Sequence, residues 1–158
     1  FIGVVERTME AFPLCGLTAD VIVGYPTETE GDHRKTVELC ERAGFHRIHA
    51  FSYSPRPGTS AYSLGDRVNG DVKRKRVGDL QRVAESNLKK LVSRISPRSL
   101  EVVFDGQRVP SSRREGYSAE YLHVLSGSFS VVGSSAVTVS KYKAKGGNVL
   151  MTDPAEEL

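Results

Sequence analysis

Residues 19–53 read ADVIVGYPTETEGDHRKTVELCERAGFHRIHAFSY, two apolar runs separated by one helical pattern. The first run, Ala19 to Val23, is β-branched and apolar and ends in Gly24 and Pro26, so it reads as a strand buried on both faces. Thr29 with Asp32 three residues on has the spacing of a capping box, which opens a helix. Val37, Cys40 and Ala43 line one face of that helix, and Gly44 closes it. His46 to Tyr53 is a second strand. Strand, helix and strand joined by short links make a right-handed βαβ unit of a parallel sheet or barrel. Upstream, Ile2 to Phe12 reads as a helix with Val5, Met9 and Phe12 on one stripe, stopped by Pro13.

Alternation sorts the strand side chains. Asp20, Ile22 and Gly24 point one way, Val21 and Val23 the other; His49, Phe51 and Tyr53 share a face opposed by Ile48 and Ala50. The aliphatic faces suit a covering layer of helices. The polar and aromatic faces then look into a barrel or crevice, where α/β folds hold ligands at the carboxyl ends of strands. Gly24 there would let a flat ligand approach the backbone, and Ile22 would offer an apolar contact. Asp20 reads equally as a structural hydrogen-bonding acid or as a functional one. The loop that follows, SPRPGT at 54–59, places Arg56 between two prolines. Pro55 and Pro57 hold Ser54 and Arg56 extended, and Gly58 permits a turn. A rigid connector with a solvated arginine and a rigid arm aimed at a ligand are both compatible with that wording.

Further on, Val77, Leu80, Ala84, Leu88, Leu91 and Ile95 recur at three- and four-residue steps, which makes one long amphipathic helix ended by Ser96-Pro97. Its polar face is assigned Lys73, Arg74, Lys75, Arg76, Arg82, Lys89, Lys90 and Arg94, a surface that is either solvated or turned to nucleic acid. After Pro97 the pattern changes to short alternating segments, SLEVVFD, EYLHVLS, SAVTVSKYK and GNVLMT, separated by Gly, Ser and Pro. A small antiparallel β-barrel fits them. The organisation expected is an α/β partial (β/α) barrel segment over 1–65, a basic helix over 66–96 and the β-module over 97–158.

At 26% charged and 39% hydrophobic residues the composition is globular, and no apolar run approaches the ~20 residues of a membrane span. The amphipathic start does not resemble a signal peptide. Cys15 and Cys40 lie outside any metal-like spacing and read as buried thiols of a reducing cytoplasm. His46 and His49 fall on opposite faces of a strand, so they do not share a metal. GYPTETEG lacks the lysine and spacing of a phosphate-binding loop. The chain holds no complete catalytic set, and without an initiator methionine it reads as part of a longer protein.

LTADVIVGYPTETEGDHRKTVELCERAGFHRIHAFSYSPRPGTSAYSLGDRV, residues 17–68, resembles the C-terminal half of the radical SAM domain of the methylthiotransferases. EGYSAEYLHV and GSSAVTVSKYKAKGGNVL resemble the TRAM module, an OB-like barrel that closes those enzymes. Within the family, RIHAFSYSPRPGT looks most like the branch acting on threonylcarbamoyladenosine beside the tRNA anticodon. The resemblance implies a partial parallel barrel that binds S-adenosylmethionine beside a 4Fe–4S cluster, and a tRNA anticodon stem-loop as partner. By position it implies cofactor contacts at Ile22, Gly24, Phe51, Tyr53 and Arg56, with Gly58 and Thr59 in the loop over the site; Asp20, on the same strand face as Ile22, completes the expected cofactor set. It implies RNA contacts at Lys73, Arg74, Arg113, Arg114, Tyr117 and His123. The chain departs from the family at Thr27, where many relatives have glycine. It also lacks the C-x-x-x-C-x-x-C of the cluster, so no metal ligand is assigned here and the segment alone is expected to be inactive. The expected location is the cytoplasm, with no membrane contact and with the missing N-terminal part as a partner. Other readings are an RNA-binding module without catalysis, and a methylthiotransferase acting on isopentenyladenosine or on a ribosomal protein.

Overall fold

A computed structural model describes residues 1–96, 98–108, 114–126, 136–139 and 142–151. It divides into two compact units, one over Leu17–Asn87 and one over Gly3–Gly16 with Leu88 onward.

The first unit contains β1 (Thr18–Val23), α2 (Glu30–Ala43), β2 (Arg47–Ser52), a 3-10 turn (Ser60–Leu64) and the first turns of a helix, α3 (Gly70–Ile95). β1 and β2 pair in parallel, with Asp20 opposite His49 and Ile22 opposite Phe51. The capping box forms as its spacing requires: Thr29 Oγ1 accepts from the Asp32 N–H, Asp32 accepts from the Thr29 N–H, and Gly44 closes α2 in the left-handed conformation. Asn69 Oδ1 opens α3 by accepting the Asp71 N–H at 2.7 Å. Burial of the strands is one-sided, against the expectation of a strand buried on both faces: Val23 and Ile48 are buried, whereas Ile22 is 62% and Phe51 55% exposed. The buried set adds Cys40, Ala43 and Phe45 and, from α3, Leu80 and Val83, so the core lies on the Val23–Ile48 side. Buried Asn87 ties α3 to the end of α2 by donating to the Cys40 and Phe45 carbonyls at 3.2 Å.

The second unit contains α1 (Ile2–Ala11), the last turns of α3 and six strands: β3 (Leu100–Arg108), β4 (Arg114–Ser118), β5 (His123–Leu125), β6 (Ala136–Val139), β7 (Tyr142–Lys145) and β8 (Asn148–Met151). Of the α1 stripe, Phe12 is 65% exposed, and none of the helix is fully buried. The strands lie in the order β6-β3-β4-β5-β8-β7. All neighbours are antiparallel except β5 and β8, which run parallel, so the sheet is mixed rather than purely antiparallel. The long return from β5 through β6 and β7 allows that pairing, because parallel neighbours need a crossover. SAVTVSKYK, expected as one segment, supplies two strands, and EGYS forms β4. Six flat strands would separate the outer two by about 24 Å, yet Val139 of β6 and Tyr142 of β7 are three residues apart in sequence and reach at most ~11 Å. The sheet is therefore curled. Its inner side holds Leu100, Val102, Phe104, Leu122, Val124, Val139, Tyr142 and Val149 in one cluster with Leu88, Leu91, Val92 and Ile95 of α3. Tyr142 Oη lies 2.8 Å from the Ile95 and Arg98 carbonyl oxygens and fixes the end of that helix. Burial, and secondarily Glu120, pushes its phenol pKa up.

Candidate functional site

The exposed side of β1 and β2 opens at their carboxyl ends into a groove of about 560 Å³ lined by Ile22, Tyr25, Phe51, Ser52, Tyr53, Ser54, Arg56, Thr59 and Ala61. Four of the sequence-assigned residues, Ile22, Phe51, Tyr53 and Arg56, therefore meet at one place. Tyr25, which sequence reasoning passed over, stands edge-on to Tyr53 with ring centroids 5.4 Å apart. The proline loop is built as its residues demand. Arg56, Pro57, Gly58 and Thr59 form a turn whose third residue, Gly58, has φ 84°, as a type II turn requires. The Arg56 carbonyl accepts from the Thr59 N–H at 3.3 Å and from Thr59 Oγ1 at 2.8 Å. Tyr53 Oη donates to the Ala61 carbonyl at 2.9 Å and tacks the loop's return leg to β2. Asp20 is exposed one register step away and does not line the groove.

Three assignments need correction. Gly24 is buried, and what approaches its backbone is the stem of Lys73: a Cβ at Gly24 would sit 2.5 Å from Lys73 Cγ. The glycine is also required by its φ of 77°. Lys73 in turn is 5% exposed and does not lie on the polar face of α3. Its ammonium donates to the Tyr53 carbonyl at 2.9 Å and to Asp66 Oδ1 at 2.5 Å. Arg76 is buried likewise, 2.6 Å from Glu28 Oε2. The signal was present: stepping one turn back from Val77 and Leu80 lands on Lys73 and Arg76, within the apolar stripe. Arg74 remains 75% exposed but pairs with Asp71 three residues before it.

A second ionic group joins α2 to α3. His33 Nε2 lies 3.1 Å from Asp79 Oδ2, and Asp79 also meets Lys75 and Arg82. Burial pushes the Asp79 carboxyl pKa up, but the His33 hydrogen bond and the Lys75 and Arg82 charges outweigh it and hold the carboxyl below the usual carboxylate range. A depressed folded-state pKa contributes stability that is present above the unfolded value of about 4 and is lost as pH falls through the folded one. The urea midpoint of the chain is therefore expected to drop below about pH 4, and Asp79→Asn should lessen that drop. An identical acid profile for the variant would assign the acid sensitivity elsewhere.

On the outer face of the six-stranded sheet, register places Val103, Tyr117 and His123 in one row across β3, β4 and β5. His123 Nδ1 lies 2.7 Å from Asn148 Oδ1 on β8, and Asn148 is opposite Lys145 on β7, so the row ends in a cation. His123 Nε2 contacts Glu115 at 2.7 Å. Tyr117 stacks on Tyr121 at 5.6 Å and tilts against His123 at 5.1 Å. Tyr121 occupies the left-handed position of the β4–β5 turn at φ 64° and is 58% exposed, so it does not fill the core. A tyrosine pays strain in that conformation that burial does not offset here. Arg114 is half-buried at the start of β4, where its N–H donates to Ser126 Oγ. Arg113 lies outside the described residues.

The chain is similar to proteins named tRNA-2-methylthio-N(6)-dimethylallyladenosine synthase. It is 37% identical over 107 residues to that of Alkalilimnicola ehrlichii, covering 68% of this chain and 24% of the relative. To that of Paracoccus denitrificans it is 37% identical over 125 residues, 79% of this chain and 28% of the relative. To that of Syntrophotalea carbinolica it is 45% identical over 73 residues, 46% and 17% respectively. The chain thus spans about a quarter of the length of the first two relatives. These names carry the dimethylallyl substrate, not the threonylcarbamoyl one to which the loop pointed. No family model matches the chain. Among the described residues no helix is long and apolar enough to cross a membrane.

Proposed function

We propose that this chain is part of a tRNA methylthiotransferase, with its groove for S-adenosylmethionine and the outer face of its TRAM-like sheet for RNA. The observation that carries the reading is the convergence of Ile22, Phe51, Tyr53 and Arg56 on one groove at the carboxyl ends of two parallel strands. The donor set fits the cofactor. Aromatic walls accept a flat adenine and a sulfonium cation, Arg56 can pair with a carboxylate, and the volume is that of a small-molecule site. When bound, S-adenosylmethionine supplies the methyl group and the carbon–sulfur bond from which radical chemistry starts. The chain's own residues bind and orient it: Ile22, Tyr25 and Phe51 exclude water, and Arg56 is held in advance by its turn. A 4Fe–4S cluster does not fit the residues present. Such clusters are held by cysteine thiolates, three of them in the C-x-x-x-C-x-x-C pattern, whereas the chain has two cysteines, in different units, and burial pushes the Cys40 thiol pKa up. This reading places the cluster ligands outside the chain and the whole protein in the cytoplasm.

The relatives' names favour dimethylallyladenosine as the base. The resemblance of RIHAFSYSPRPGT, residues 47–59, to the threonylcarbamoyladenosine branch keeps that base as the second reading. Mass spectrometry of tRNA nucleosides from a strain lacking the gene separates them. The expected result is loss of the methylthio group from dimethylallyladenosine with the unmodified precursor accumulating. Loss confined to the threonylcarbamoyl form would select the second reading, and an unchanged profile would sink both.

For the RNA face, Tyr121→Ala should leave the sheet folded, with stability within about 1 kcal/mol of the parent, since it removes one exposed stack and keeps the Cβ on which the left-handed strain depends. Affinity for an anticodon stem-loop should fall about tenfold, as expected for one base–aromatic stack of ~1–3 kcal/mol. Replacing Arg113 and Arg114 by alanine should flatten the salt dependence of that binding. RNA affinity indifferent to all three changes would move the contact off this sheet.

A further inference from the structure

We propose that Lys73 is a positioning residue that clamps both ends of the loop between Tyr53 and Asp66, and so holds Arg56 at the groove; the role of the groove itself rests on the cofactor reading above. The Lys73 side chain is 6% exposed and its stem lies against Gly24. A methionine or leucine would fill that space without the penalty of burying an ammonium, which is large unless the charge is paired and hydrogen-bonded. The charge therefore needs its own reason, and its acceptors supply one. Lys73 Nζ donates to the carbonyl of Tyr53, where β2 ends and the loop begins, and to Asp66 Oδ1, where the loop returns toward α3. It also sits 5.8 Å over the Tyr53 ring, whose hydroxyl holds Ala61 in the same loop. One buried cation thus ties together the loop's entry, its exit and the aromatic ring that forms the groove wall. Arg56 lies between those ties with its carbonyl fixed by Thr59.

The clamp predicts a local effect. In Lys73→Met the stem still covers Gly24, but both ties are gone. Amides of residues 54–65 are expected to exchange at least about tenfold faster, while those of α2 and β1 keep the parent's rates. In the whole protein, KM for S-adenosylmethionine should rise about tenfold with kcat within twofold, the split expected of lost preorganisation. Asp66→Asn, at a half-exposed position, should give a smaller change of the same kind and carries the test if Lys73→Met fails to fold. Unchanged loop exchange in a folded variant would overturn the clamp and leave Lys73 as packing for Gly24. Faster loop exchange with unchanged S-adenosylmethionine binding would uphold the clamp and overturn the cofactor reading.

Discussion

Arg76→Met should destabilise the α/β unit by about 3–5 kcal/mol, the usual cost of stripping one partner from a buried ion pair. Arg76 is 4% exposed, and its guanidinium meets Glu28 Oε2 at 2.6 Å and Glu30 Oε2 at 3.4 Å. Glu28 is itself nearly buried and also accepts the Gly24 N–H, so it cannot turn to solvent without releasing the end of β1. A loss of that size is a large part of the ~5–15 kcal/mol that holds a typical domain together. Adding Glu28→Gln to Arg76→Met should recover at least about half of it, because the amide oxygen can keep the Gly24 hydrogen bond while the stranded charge disappears. Arg82, 72% exposed and paired with the same network through Asp79, makes the control: Arg82→Ala should cost no more than about 1 kcal/mol. Urea titrations of the single and double variants check all three. Arg76→Met within about 1 kcal/mol of the parent would show that the pair is not what holds the β1–α2 link to α3.

Gly116→Ala should be as damaging in the six-stranded sheet, for a steric reason. A Cβ at Gly116 would lie 2.3 Å from the Val103 carbonyl oxygen and 2.9 Å from Phe104 Cα. Both are backbone atoms of the paired strand, so no rotamer change relieves the clash. The β3–β4 pairing must open beside buried Phe104, at a cost of about 3 kcal/mol or more. The matching control is Gly78→Ala in α3, where the nearest atom is the flexible end of Arg82 at 3.7 Å and alanine should stabilise by about 0.5–1 kcal/mol. Thermal melting, with amide exchange at Val103 and Tyr117, distinguishes the two. A Gly116→Ala protein with parental exchange there would refute the close packing of β4 on β3.

These contacts mark where sequence reading succeeds and stops. The βαβ order, the Thr29–Asp32 cap and the shared face of Ile22 and Phe51 were legible because each depends on residues a few positions apart and on a fixed period. Burial of Lys73 and Arg76 was not, because charge argued for solvent while periodicity argued for the core. Only their partners, Asp66 and Glu28, seven and 48 residues away, resolve the conflict. Strand β4 was passed over because Gly116 at its centre imitates a loop, and the parallel β5–β8 pairing depends on a return that no local pattern encodes.

Pro57 has a consequence beyond the turn it shapes. An exposed arginine at a loop tip is where trypsin-like proteases usually cut, but the bond that follows Arg56 is a tertiary amide to proline, which these enzymes do not hydrolyse. Digestion of the unfolded chain therefore passes over Arg56 and releases residues 48–67 as a single peptide, bounded by Arg47 and Arg67. That fragment carries Phe51, Tyr53, Arg56 and Thr59 together. A photoreactive ligand seated in the groove would leave its label on one tryptic mass, whichever of those side chains it touched.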